Sequence, residues 1–223
     1  MRIRDLTLPA FEPAALAAYF ADVLQMDVDG GATVIGWSTI RPVPADDRPT
    51  GGVHLAFNVP DNRFVEAMAW LRERAPLQRS PDGKEYFALE SNWKSQSVYF
   101  TGPDGLILEL IGRKRLPLSS RTGPFHGSEI TCLSEVGLPV DDVPGTQRRL
   151  ADTFGLTPLS EPSDAFAPMG DDEGLLIVVD ATRPWFPEQR DLPNAVGIEL
   201  VIEASQCGEQ VADAQQRWRC VSL

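Results

Sequence analysis

The chain has little with which to build covalent frameworks or basic surfaces. Its 223 residues include three cysteines, two histidines and 20 lysines and arginines, against 32 aspartates and glutamates. Cys132, Cys207 and Cys220 are odd in number, widely spaced and form no C-x-x-C, which excludes a disulfide framework and a cysteine zinc site. The formal net charge of −12 opposes both nucleic-acid backbones and anionic membrane surfaces. The longest aliphatic run, LLIVV at 175–179, is too short to span a bilayer. MRIRDLTLP has no apolar signal core, so a cytoplasmic location is expected. There is no glycine-rich phosphate loop, no G-x-S-x-G elbow and no catalytic Cys–His pairing.

What the chain does have is internal repetition. Residues 5–26 (DLTLPAFEPAALAAYFADVLQM) align without a gap on 135–156 (EVGLPVDDVPGTQRRLADTFGL), which sets Asp5 on Glu135 and Met26 on Leu156. VHLAFNV at 53–59 echoes IELVIEA at 198–204 and sets His54 on Glu199. Each repeat begins with a short apolar strand and turns into a helical stretch. Repeats decide architecture before any local signal does.

Periodicity fills in the elements. Ile3–Leu8 reads as a strand, and Ala14–Leu24 as a helix with Pro13 in its first turn. Residues 32–40 (ATVIGWSTI) are strand-like, and 41–52 form a Pro/Gly/Asp-rich loop. Val53–Val59 is a strand, followed by a helix with Phe64, Met68 and Leu71 on one face. Tyr86–Leu89 is a further strand, and SVYF (97–100) and LILELI (106–111) make a hairpin around Asp-Gly. Residues 112–128 lack any period and read as a linker. In the second half, strands are expected at Ile130–Leu138, 171–180 and 197–203, with a helix at Pro144–Phe154 that Gly155 ends. Glu209–Arg217 reads as a polar amphipathic stretch, and no counterpart of YFTGPDGLILELI follows it.

GVHLAFNVPDNRFVEAMAWLRE and SVYFTGPDGLILELIG, with their Y-F-x-G-P-D-G-x-x-x-E-L run, resemble the vicinal oxygen chelate superfamily. That superfamily includes glyoxalase I, bleomycin-resistance proteins and extradiol dioxygenases. The resemblance implies an α+β fold of paired βαβββ modules, with curled mixed sheets around a cavity. It implies a complete first domain at 1–113 (modules 1–48 and 52–113), a linker at 114–128, and a truncated second domain at 129–223.

The resemblance also implies a site. His54 matches the first-strand histidine of a module and Glu109 the last-strand glutamate, while Asp5 stands where a first-module histidine is usual. These three would hold a divalent metal (Mn, Fe, Ni or Zn), with Glu109 or Asp5 doubling as proton acceptor. Two histidines in all, one of them (His126) in the linker, disfavour the two-histidine triad of Fe(II) oxygenases. Trp37, Thr39 and Arg41 share one strand face and, with Asn92, Trp93 and Tyr99, are candidates for lining a small-molecule pocket. Glu135 and Glu199, in a half without histidine, read as structural. Trp185 and Phe186, between prolines, read as holding a loop against the sheet. The expected activity is a metal-dependent lyase, isomerase or dioxygenase-like reaction on a small molecule. The alternative is metal-free sequestration of the bleomycin-resistance kind, with no cofactor. A homodimer through the truncated half is a further expectation.

Overall fold

The computed structural model describes residues 1–223. The chain runs through four modules in sequence. The first is β1 (Arg2–Ala10), α1 (Pro13–Asp22), β2 (Asp27–Asp29), β3 (Ala32–Ile35) and β4 (Ser38–Pro44). The second is β5 (His54–Val59), α2 (Phe64–Arg72), β6 (Phe87–Leu89), β7 (Ser95–Thr101) and β8 (Ile107–Arg113). The third is β9 (Cys132–Val140), α3 (Val143–Phe154), β10 (Phe166–Asp171) and β11 (Gly174–Asp180). The last is β12 (Ile198–Glu203), β13 (Gln210–Ala212) and β14 (Trp218–Ser222).

These strands make two curled mixed sheets of seven strands each. One runs β13-β14-β12-β1-β4-β3-β2, the other β10-β11-β9-β5-β8-β7-β6. The α+β class and the paired modules are therefore as the sequence implies, but the partners differ. Modules one and four share the first sheet, and modules two and three share the second. The joins are the antiparallel pairs β1–β12 and β5–β9 at the sheet centres. A division at 114–128 into domains 1–113 and 129–223 thus cuts both sheets. The physical reason is edge satisfaction: each module leaves its first strand with one unpaired side, and four such edges close in two pairs. Local sequence does not say which edges meet.

Two element expectations change. The run at 32–40 breaks into a hairpin at Gly36, whose φ is +53°. The Glu209–Arg217 stretch is strand and turn, leading into β14, which pairs parallel to β12 as β8 does to β5. The fourth module therefore keeps its final strand and lacks its helix. No helix is long and apolar enough to cross a membrane.

Period-two alternation sends Leu55, Phe57, Leu108, Leu110, Val136 and Leu138 into one continuous core beneath the helices. The opposite face of the second sheet carries a smaller apolar cluster: Ile107, Leu175, Ile177, Val179 and Trp185. Both faces of this sheet are covered, and β5, β8 and β9 are buried at every residue. In the first sheet β12 alternates between buried and exposed, so the corresponding face is open. Any polar side chain on the covered face of the second sheet must find a partner or a ligand.

Candidate functional site

Three such polar side chains stand together there. Ala56 on β5 is in register with Glu109 on β8 at one side and Glu135 on β9 at the other. The two carboxylates flank the strand that carries His54 two residues earlier, on the same face. His54 Nε2 lies 3.6 Å from Glu109 and 3.7 Å from Glu135. All three side chains are buried.

The ring orientation follows from the backbone. His54 Nδ1 is 3.2 Å from the Ile107 carbonyl, a contact that places the proton on Nδ1. In that tautomer Nε2 turns its lone pair toward the two carboxylates. Ligand atoms held about 2.1 Å from a common divalent ion stand roughly 3.0–3.5 Å apart. The N,O,O set, whose ligand atoms all lie within 4.8 Å of one another, fits such an ion with little contraction. Tyr99 and Trp185 hold the imidazole between them, with ring centroids 6.1 Å and 4.9 Å away.

The two glutamates titrate in opposite directions. Burial, then the charge of Glu135, pushes the Glu109 carboxyl well above the usual carboxylate range. Burial opposes ionisation of Glu135 too, but the facing His54 ring and the Arg113 guanidinium outweigh it and hold its pKa low. Arg113, itself fully buried at the end of β8, donates from Nη2 to Glu135 Oε1, so Oε2 is the oxygen turned to His54. Its Nη1 stands 3.7 Å from Asp172, and neither Nη1 nor Nε has a hydrogen-bond partner. Burial and the two glutamates push the Tyr99 hydroxyl far up, which keeps it a neutral donor next to Glu109.

Above this cluster opens a cavity of about 500 Å³. Trp93, Tyr99 and Phe87 line it from the second module, and Phe166, Trp185 and Phe186 from the third and its following loop. That loop is anchored where Trp185 Nε1 donates to the Gly52 carbonyl at 2.8 Å. Gly137 leaves room for the indole: a Cβ there would lie 2.6 Å from the Trp185 ring. Trp185 and Phe186 therefore hold the loop, as their flanking prolines suggest, and also form the cavity wall.

Of the residues singled out from sequence, the structure brings together His54, Glu109, Trp93 and Tyr99. It does not bring Asp5, which lies on the first sheet paired with Arg41 at 2.8 Å. Thr39 is beside it in register, and Trp37 packs under Arg2, 4.5 Å from the ring centroid. Asn92 offers its backbone carbonyl to Arg115 rather than its side chain to the cavity. The third member of the cluster is Glu135, read from sequence as structural. Its signal was available: a carboxylate in an otherwise apolar strand, aligned by the repeat on Asp5. The corresponding positions in the fourth module carry no site. Glu199 is exposed, and Val221 holds the register that Glu109 holds in the second module.

No protein-family model matches the chain, and no curated protein matches it in sequence. Solved structures do match in fold. A candidate dioxygenase from Bacillus subtilis is 16% identical, with a TM-score of 0.61 over 92% of this chain and 71% of that one. Glyoxalase I from Zea mays is 13% identical, with a TM-score of 0.59 over 99% of this chain and 91% of that one. The chain thus has the vicinal oxygen chelate fold, as its motifs imply. At such identity the likeness is one of architecture.

Proposed function

We propose that the cavity over the second sheet is the active site of a small-molecule enzyme holding a divalent metal on His54, Glu109 and Glu135. The observation that carries this reading is the buried convergence of one imidazole nitrogen and two carboxylate oxygens, all within 4.8 Å of one another. Bound there, the metal supplies Lewis-acid polarisation to a substrate with two neighbouring oxygens and stabilises an enolate or oxyanion. The chain's own groups do the rest. Glu109, its pKa raised by burial and the Glu135 charge, is placed to exchange a proton with a bound substrate, and the Tyr99 hydroxyl beside it donates to a developing negative oxygen. Aromatic walls exclude water from the reacting atoms. One histidine with two carboxylates differs from the two-histidine oxygenase triad and favours a lyase or isomerase over oxygen chemistry. Mn, Fe, Ni and Zn all suit such a set.

A second reading has its own support. Arg113 already satisfies one oxygen of Glu135 without a cation, which supports a metal-free binding protein. Metal content of protein purified without chelators separates the two. One divalent ion per chain, lost in His54→Ala and Glu109→Gln, is the expected result. A metal-free protein that takes up none of the four ions would leave the binding reading standing.

A further inference from the structure

The buried cluster explains the floor of the cavity and leaves its mouth unexplained. Of the ten exposed large hydrophobic side chains, three (Tyr86, Leu89 and Phe186) stand around this one opening. Apolar groups gathered at a cavity rim mark a surface that a ligand covers. Deeper in, the aromatic rings stand at angles that leave a slot rather than a filled core. Phe186 meets Phe87 edge-on at 4.6 Å and Tyr99 edge-on at 5.4 Å, while Trp93 and Phe166 are tilted 6.3 Å apart. Such edges and faces receive a flat ring system.

The charge at the mouth has one sign. The chain carries a net −12, yet apart from the buried cluster the only charged side chains lining this cavity are Lys84 and Arg183. Arg183 forms no ion pair with the protein. Its guanidinium lies over the Phe166 ring, 5.0 Å from the centroid, so cation and aromatic surface face the same space. Lys84 is anchored only to the exposed Asp82. At the floor, Arg113 pairs with Glu135, so the charges left to face a ligand at the mouth are those of Lys84 and Arg183.

We propose that this cavity takes an anionic aromatic small molecule, its rings among Trp93, Phe166 and Phe186 and its acid group at Arg183 and Lys84. The inference rests on the reading of the cavity as the substrate site, though not on a bound metal.

A matched pair of fluorescent probes tests it on the full chain: 1-anilinonaphthalene-8-sulfonate and its uncharged analogue N-phenyl-1-naphthylamine. Saturable binding of the sulfonate is expected, tighter than that of the neutral probe and weakened by added salt. Arg183→Gln and Lys84→Gln should each weaken sulfonate binding about two- to five-fold, the range of an exposed charge pair, and leave the neutral probe unchanged. Phe186→Ala should weaken both probes. Urea midpoints equal to wild type confirm that the variants are folded, since the probe also stains loosened protein. Equal affinity for the two probes, non-saturable uptake, or sulfonate binding indifferent to both cation variants overturns the proposal. His54→Ala separates it from the metal reading. That variant should lose metal and keep the probe; metal uptake without any probe binding sinks only this inference, and probe binding without metal uptake sinks only the other.

Discussion

Glu109 and Glu135 are the same residue type, at one register position on either side of β5, in one buried cluster, and they differ in the neighbour each has. Burial and the charge of Glu135 raise the Glu109 carboxyl, while His54 and Arg113 outweigh the burial of Glu135 and lower its pKa. The sign of the resulting pH dependence is set by the raised group. A carboxyl whose folded pKa lies above its unfolded value stabilises the fold below the unfolded value, near 4.5, and loses that contribution as pH climbs to its folded value. Metal-free wild type should therefore lose stability relative to Glu109→Gln as pH rises above 4.5, a gap read from urea midpoints across the range. Glu135 acts oppositely: its contribution is present above 4.5 and disappears on acidification. Arg113→Met tests that pair directly. An ionised carboxylate left buried without its partner should cost about 3–5 kcal/mol, and Glu135→Gln in the same chain should restore part of it. Additive losses in the double variant would show that the two do not act as a pair.

At the scale of elements, what distinguishes the two sheets is whether their concave faces are covered. β8 and β9 are buried on both sides because the Trp185 loop closes over them, and β12 is not. The same repeat register therefore produces a site in one sheet and an open polar face in the other. Gly137 makes the closure tight: its missing side chain is the space the Trp185 indole fills. Gly137→Ala should cost about 1–3 kcal/mol through overpacking and should alter the near-ultraviolet dichroism assigned by comparison with Trp185→Phe. The helices are more locally determined. Asp142 caps α3 by accepting from the Gly145 N–H at 2.9 Å, and Gly155 ends it with φ at +71°. Asp142→Ala should lower stability by about 1 kcal/mol in the same urea assay, with no effect on metal content.

For the whole molecule, the decisive fact is which modules share a sheet. Because β1 pairs with β12 and β5 with β9, fragments 1–113 and 129–223 each expose two central strand edges. Neither fragment should fold alone, whereas the two produced together should associate and regain a cooperative urea transition. Cooperative unfolding of 1–113 by itself would contradict this. Most strands, the helices and the placement of His54 beside Glu109 were legible in the sequence, since side-chain period, capping residues and the P-D-G-x-x-x-E-L run are properties of neighbouring residues. Glu135 was visible as an acid in an apolar strand, but its half holds no histidine, so nothing nearby gave it a purpose. Asp5 was placed with His54 because it stands where a first-module histidine is usual in the family, and the structure put them on different sheets. Chain order determines what each module is; the pairing of four free strand edges, settled only when the whole core closes, determines which modules face one another and therefore where the acids meet the histidine.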